Sequence, residues 1–439
     1  MSEVFSLGDV VRPNLPRVKP ELTPDAPFIE MEHVEAHTMK LLGTVPAATM
    51  KSSAVHFKPG DVLYGRLRPY LNKVFRPTFE GLCSAEFIVF PENDRIDGRY
   101  LQYFLNSGAF VRFATHLNAG DRPRVDFDQI APYKIPVPSL AQQHEIVAEL
   151  EKQFSRLDEA VANLQRVKAN FKRYKASVLK AAVEGRLVET EATQAHREGR
   201  TYENGEQLLQ RILEERRAKW VGRGKYKEPV APDEEGLHAL PEGWVWCACD
   251  QISEKITDGE HISPSTITHG VPLLSAKDVL DTGVAFDDAK FVSAVDSEKF
   301  RSRCNPDRGD VLIVSRGATI GRACLVNSDR EFCLMGSVIL MKPHAGVNSA
   351  YLLQALRAGF FQTRLTAVSG STAQQAIYIR DIRPLQMPLP PQAEQARIVA
   401  EVDRHLSIVR EVEAEVDTNL KRAQALRQAT LAKAFAIPT

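Results

Sequence analysis

The chain has 439 residues, of which 44% are hydrophobic and 26% charged. That is enough for two or three domains with proper cores, and the balance excludes a disordered or fibrous chain. Its 56 basic and 56 acidic residues cancel, so any grip on nucleic acid must come from a local surface rather than from net charge.

Residues 1–140 are rich in Pro, Gly and short β-branched or aromatic runs, such as Asp61–Tyr64 and Glu86–Phe90. They read as a mixed α/β domain of short strands, with one helical stretch at Arg99–Arg112. Residues 141–188 change character. Val147, Leu150, Phe154, Leu157, Val161, Leu164, Phe171 and Val178 fall at alternating steps of three and four and then at whole heptads. With no internal Pro, this is the heptad seam of one long helix, and Ser139 stands where a cap belongs. Residues 189–240 read as a polar linker containing one amphipathic helix, Glu206–Trp220. Residues 241–391 repeat the first globular design, and 392–439 hold a second long helix with Val399, Val402, Leu406, Val409, Val416 and Leu420 on its seam.

The repeat is strict in one place. Residues 125–150 (VDFDQIAPYKIPVPSLAQQHEIVAEL) return as 377–402 (IYIRDIRPLQMPLPPQAEQARIVAEV) at a constant offset of 252. A unit this long is a duplicated domain plus helix, not a solenoid repeat. Both helices carry acids early and bases late. In the first, Glu145, Glu149 and Asp158 precede Arg166, Lys172 and Lys175; in the second, Glu401, Glu411 and Glu413 precede Lys421, Arg422 and Arg427. Antiparallel pairing brings opposite charges together, whereas parallel pairing brings like charges together. The expected pairing residues are Leu150, Phe154, Leu157, Val161, Leu164 and Phe171 against Val402, Leu406, Val409 and Val416. A helix of this size is about 65 Å long at about 1.5 Å per residue. The expectation is therefore an α+β protein: two mixed α/β globular domains at opposite ends of a pseudo-twofold antiparallel rod. Such a rod could hold two readers up to roughly two duplex turns apart, at about 34 Å per turn.

No catalytic constellation appears. Gly222–Lys225 lacks the spacing of a phosphate-binding loop, and there is no Gly-x-Gly-x-x-Gly or His-Glu-x-x-His. The six cysteines are scattered and read as buried free thiols, with no metal site expected. No apolar run could span a bilayer, and MSEVFSLGDV is unlike a signal peptide. A non-catalytic cytoplasmic protein without a membrane partner is expected.

Ile135-Pro136-Val137-Pro138 with Gln143, and Met387-Pro388-Leu389-Pro390 with Gln395, lead into the two helices. Together with Lys180–Leu187 and Leu240-Pro241-Glu242-Gly243-Trp244, they resemble the specificity subunit of Type I restriction-modification systems over essentially the whole chain. The resemblance implies two target recognition domains, each reading one half of an asymmetric bipartite site in double-stranded DNA. It also implies helices that set the spacer and dock two modification (methyltransferase) subunits, with restriction (endonuclease/translocase) subunits joining them. S-adenosylmethionine, ATP and Mg2+ are then expected on those partners and none on this chain. The alternative from another class is a non-catalytic coiled-coil scaffold that binds only proteins.

Candidate DNA contacts follow from residue chemistry. Arg66, Arg68 and Lys73 alternate with aromatics after the first Gly-Asp-Val-Leu run, and Arg122 and Arg124 lie in a basic loop just before the repeated frame. Arg can bond guanine edges in pairs, while Lys suits phosphate. In the second domain the corresponding segments offer Arg316, Thr319 and Arg322, and Ser371, Thr372, Gln374 and Gln375. His261 and Ser263 lie in a polar Asp-Gly-Glu-His loop, where related subunits often have Asp-Gly-Thr-His. For all of these the bland alternative is a solvated face or an ordinary turn.

Overall fold

Pairing between the first and last strands of each globular domain closes that domain onto the root of its helix. In the first, Glu3–Ser6 pairs antiparallel with Lys134–Val137; in the second, Val245–Ala248 pairs antiparallel with Gln386–Leu389. The computed structural model describes residues 3–14, 16–118, 120–222, 224–369 and 375–437. It comprises two compact units, Met1–Val167 with Glu415–Thr439, and Lys168–Ala414. Each unit takes one globular domain and part of both long helices, Leu140–Val183 and Gln392–Ala434.

In the first unit a five-stranded sheet runs in the order 17–18, 54–57, 81–84, 27–29, 45–46, and a three-stranded sheet in the order 74–75, 62–65, 87–90. The helical stretch expected over Arg99–Arg112 is two helices, Gly98–Leu105 and Gly108–His116. The break falls at buried Asn106-Ser107, where the Ser107 hydroxyl accepts from the Phe110 N–H and starts a new helix. Phe110 and Tyr133 pack edge to face in the core beneath, and Phe104 packs at a tilt against both.

The second unit has a four-stranded sheet in the order 253–258, 338–343, 311–314, 323–325, and a three-stranded sheet in the order 290–292, 271–274, 333–334. Residues 189–240 carry more structure than the sequence suggests. They hold two helices, Glu191–Glu198 and Gly205–Ala218. Leu208 and Ile212 of the second are fully buried in the core of this unit, and Arg216 bonds the carbonyl of Gln251 at 3.1 Å. Trp244 and Trp246 are buried, and Trp244 Nε1 donates to Glu394 Oε1 at 3.0 Å.

Within each unit the helix segments run antiparallel. In the first, Phe154 lies under the Arg427 guanidinium at 4.3 Å, Arg427 pairs with Asp158, and Leu150 shares a core with Leu431 and Phe435. In the second, Tyr174 meets His405 at 2.6 Å, while Val178 and Ala182 meet Ile398 and Val402. The Lys175–Glu413 ion pair at 2.7 Å joins a late base to an acid of the other helix, as the charge blocks predict. Leu150, Phe154, Val402, Val409 and Val416 are buried; Leu157, Val161, Leu164, Phe171 and Leu406 are half-buried. A seam with only one partner helix covers its residues incompletely. Ser139 caps the first helix, its Oγ accepting from Gln142 N at 3.4 Å.

Candidate nucleic-acid interface

The repeated frame is a set of buried hydrogen bonds. Gln143 and Gln395 are wholly buried. The side-chain oxygen of Gln143 accepts from Asp97 N at 2.8 Å, and its amide donates to the Pro138 carbonyl at 2.9 Å. Gln395 does the same with Asn348 N at 2.7 Å and the Pro390 carbonyl at 3.0 Å. Tyr100 and Tyr351 each donate to the carbonyl of the middle proline, Pro136 and Pro388, at 2.8 Å. Each glutamine ties a helix N-cap to the proline strand, which explains why Pro and Gln recur at fixed spacing.

On this frame the first domain brings its two predicted segments together. Val125 N donates to the Arg66 carbonyl at 3.0 Å, and Arg68 N to the Pro123 carbonyl at 2.7 Å. Leu67 lies opposite Arg124. Arg66 is ion-paired with Asp126, and Arg124 with Glu86. Burial, with Arg124 and Arg17 close by, lowers the pKa of the Arg66 guanidinium, while Glu86 opposes the shift. Arg122 is exposed. Arg68 has φ of 52°, and Asn72 has φ of 48°, on either side of the turn Pro69–Leu71. Left-handed backbone is costly for a side chain as large as Arg, and the bond to Pro123 helps hold it there. The Nε atoms of Arg66 and Arg68 are buried without a hydrogen-bond partner among the described residues. A cleft of about 360 Å³ opens here, lined among others by Asn14, Arg17, Arg66, Asp126 and Asp128. Lys73 does not join it. Its ammonium sits 2.5 Å from the Met31 carbonyl, and burial lowers its pKa, with Glu32 opposing. Sequence reasoning missed Arg17 and the two acids that pair the arginines; the early run Arg12-Pro13-Asn14-Leu15-Pro16-Arg17 was the available signal for Arg17.

The second domain repeats the junction with other side chains. Ile377 N donates to the Ser315 carbonyl at 2.9 Å, and Arg316 lies opposite Ala376. Ser315 thus holds the backbone position of Arg66, and Arg316 that of Leu67. Arg316 is exposed, with its guanidinium 5.9 Å from the Tyr378 ring. Ser315 N bonds the Ser337 carbonyl at 2.9 Å, and Gly336 N bonds the Glu260 carbonyl at 2.7 Å. This brings the Asp258–Ser263 loop to the same place. The Glu260 carboxylate accepts from His261 N at 2.9 Å and Ile262 N at 3.1 Å, which fixes the turn. Exposed His261 stands 2.9 Å from Asp258 Oδ2, and Ser263 is exposed. A side chain at Gly259 would fall 2.1 Å from the Leu334 carbonyl, so this close approach requires glycine. Thr319 is half-buried, and Arg322 is turned to the Val279 carbonyl at 3.4 Å and Asp281 at 3.8 Å. Gln375 is exposed; Ser371, Thr372 and Gln374 lie outside the described residues.

Among the described residues, Glu30, Glu32 and His33 form the one group with ligand atoms close enough for a metal. His33 Nδ1 already accepts from Glu30 N at 3.0 Å as part of a turn. All six cysteines are buried and free. No helix among the described residues is long and apolar enough to cross a membrane.

A family model described as the Type I restriction modification DNA specificity domain matches residues 2–167 and 269–421. The chain is 30% identical over 169 residues to the Type I restriction enzyme EcoDI specificity subunit of Escherichia coli, covering 37% of each protein. It is 23% identical over 447 residues to the EcoAI specificity subunit of Escherichia coli, covering 87% of this chain and 74% of that one. The match thus spans little more than a third of the EcoDI subunit. A chain solved in work on complex assembly and conformational transition of the type I R-M system superposes with a TM-score of 0.68 at 21% identity, over 99% of this chain and 97% of that one. At that identity the likeness establishes the fold.

Proposed function

The chain belongs to the Type I restriction modification DNA specificity family, and from that premise we propose that it is the sequence-reading subunit of a restriction-modification complex. Each globular domain reads one half of a bipartite, asymmetric site in double-stranded DNA. The observation that carries this reading is the junction built twice on one backbone pattern with unlike side chains. Arg66 with Leu67 and Arg124 in one domain stand where Ser315 with Arg316 and Ala376 stand in the other. Base identity is read by side chains on base edges, so a shared frame with different side chains suits two different half-sites and does not suit a palindrome.

The long helices set the spacer and dock two methyltransferase subunits, and restriction subunits complete the assembly. This chain itself is non-catalytic in that scheme. S-adenosylmethionine belongs to the modification subunits, and ATP with Mg2+ to the restriction subunits. Membership in a DNA specificity family disfavours a scaffold that binds only proteins.

The test is to co-express the chain with its modification subunits and sequence methylated adenines genome-wide. Two unrelated half-sequences at fixed spacing are expected. A palindromic motif, or methylation without a motif, would overturn the reading.

A further inference from the structure

The short helix that follows each junction sits at the same place in its own domain, but its charge is reversed. Phe127–Ile130 follows Asp126, and Ile379–Ile382 follows Tyr378. Both helices bury their last isoleucine, Ile130 and Ile382, completely. Both close the same capping bond: Asp126 N to Gln129 Oε1 and Tyr378 N to Asp381 Oδ2, each 2.9 Å. The backbone is therefore equivalent position by position. Over residues 126–131 the charge is −2, from Asp126 and Asp128; over 378–383 it is +1, from Arg380, Arg383 and Asp381.

The exchange falls on solvent-facing positions. The Arg380 side chain is 79% exposed, and Arg383 52%. Their nearest acids, Asp381 and Asp250, are 3.7 and 3.8 Å away, and Asp381 is also engaged in the capping bond. These are loose surface pairs that contribute little and are readily exchanged for another anion. Two guanidiniums approach the Tyr378 ring, Arg316 at 5.9 Å and Arg380 at 4.6 Å. The stack makes the basic surface continuous with the candidate base-reading residue Arg316. Lys227 from the linker joins Arg380 and Arg383 around a cleft of about 700 Å³, lined also by Asp250 and by Glu228, which is paired with Arg217. In the first domain the same positions do the opposite: Asp126 neutralises Arg66, and Asp128 lines the cleft beside them.

We propose that Tyr378, Arg380 and Arg383, with Lys227, form a DNA-backbone clamp that the second domain has and the first lacks. This rests on the sequence-reading role proposed above. The occupant is duplex phosphate. Exposed guanidiniums on a platform continuous with the reading loop suit phosphate oxygens, and phosphate contacts position a reader without carrying sequence information. The two domains then divide the work unequally: the second supplies the larger salt-sensitive share of binding, and the first depends more on its paired arginines.

The experiment uses the full chain assembled with its modification subunits. Fluorescence anisotropy is measured over a range of salt concentrations, on a duplex carrying the methylated motif and on a random-sequence duplex. The double variant Arg380→Gln/Arg383→Gln is expected to weaken both duplexes by the same factor. The slope of log affinity against log salt should fall by about 1.8, or about 0.9 for each lost phosphate contact. Arg380→Lys/Arg383→Lys should restore the slope. As a gain-of-function arm, independent of any folding defect in those variants, Asp128→Arg should steepen the slope by about 0.9. If the wild-type complex discriminates the motif but the double Gln variant keeps its slope and affinity, the clamp is wrong and the reading role stands. If the double variant weakens only the motif duplex, the arginines read bases, and the clamp is again wrong. If the wild-type complex shows no preference for the motif, the reading role itself fails, and the clamp falls with it.

Discussion

Two regions of each unit invite comparison: the buried glutamine frame and the loop junction beside it. The frame recurs in both units, with Gln143 matching Gln395 and Tyr100 matching Tyr351; the Gln143 amide adds one bond, to the Arg95 carbonyl at 3.1 Å. The junction keeps its backbone bonds and changes its side chains, so that Arg66 paired with Asp126 gives way to Ser315 beside an exposed Arg316 near the Tyr378 ring. Likeness between repeats therefore marks what a buried polar group must have, since a missing partner there is costly. Unlikeness marks positions free to meet something outside the chain. The difference separates holding from reading.

The largest effects should come from the frame. Gln395→Ala strands a backbone N–H and a carbonyl, at about 2–4 kcal/mol for the pair of lost bonds, and Gln143→Ala strands the Arg95 carbonyl besides its own such pair. Urea unfolding should show comparable losses for the two variants. Losses that differ severalfold would break the equivalence of the frames. Next comes the junction. Arg316→Ala should cost about 1–3 kcal/mol at one half-site, as for a lost base contact, while the other half-sequence stays unchanged in methylation maps. Equal blurring of both halves would end the assignment of one domain to one half-site. Arg66→Ala should give the complementary pattern, confined to the half-site that Arg316→Ala leaves intact.

A smaller effect distinguishes the units by pH. His344 is 1% exposed, and its Nδ1 accepts from Gly346 N at 3.1 Å. The first domain has Asn93 in a like role, accepting from Arg95 N at 2.9 Å, and asparagine does not titrate. Burial lowers the His344 pKa below its ordinary 6.5, although Glu215, at 3.4 Å, opposes the shift. The unfolded chain then binds the proton more readily than the folded one, so this group costs stability as pH falls below about 6.5. The loss should approach, but not exceed, about 1.4 kcal/mol per pH unit. His344→Asn should flatten that part of the urea-midpoint profile; an unchanged profile would place the acid sensitivity elsewhere. Smallest of all, Arg322→Gln should shift DNA affinity by less than about 0.5 kcal/mol, because its guanidinium faces Asp281 and the Val279 carbonyl. A larger loss of affinity would add Arg322 to the reading surface.

The long helices were legible because their signals are local. Heptad spacing, an uninterrupted run without Pro, and charge blocks of opposite sign all act between near neighbours or facing seams. The order of segments matched each candidate loop to its counterpart in the other repeat, but that Arg66–Arg68 meets Pro123–Val125 emerged only in the fold. What escaped the sequence depends on distant partners. Nothing near Lys73 shows that its ammonium reaches Met31, 42 residues away. Nothing near Leu208 distinguishes a linker helix in solvent from one buried in a core. The break at Asn106-Ser107 escaped for another reason, since Ser can sit inside a helix or cap one, and only the bond to Phe110 N decides.

The placement of the thiols gives the molecule a built-in reporter. Cys83 belongs to the first unit, while Cys247, Cys249, Cys304, Cys324 and Cys333 belong to the second. Burial raises the pKa of all six, with Cys304 and Cys324 pushed up to about 12. A thiol reagent reacts with thiolate, so it should leave the native protein largely untouched and mark a unit when it opens. One label per chain would mean that the first unit had opened alone; five would mean the second. Mass spectrometry of pulse-labelled protein could thus follow the two units separately within one covalent chain.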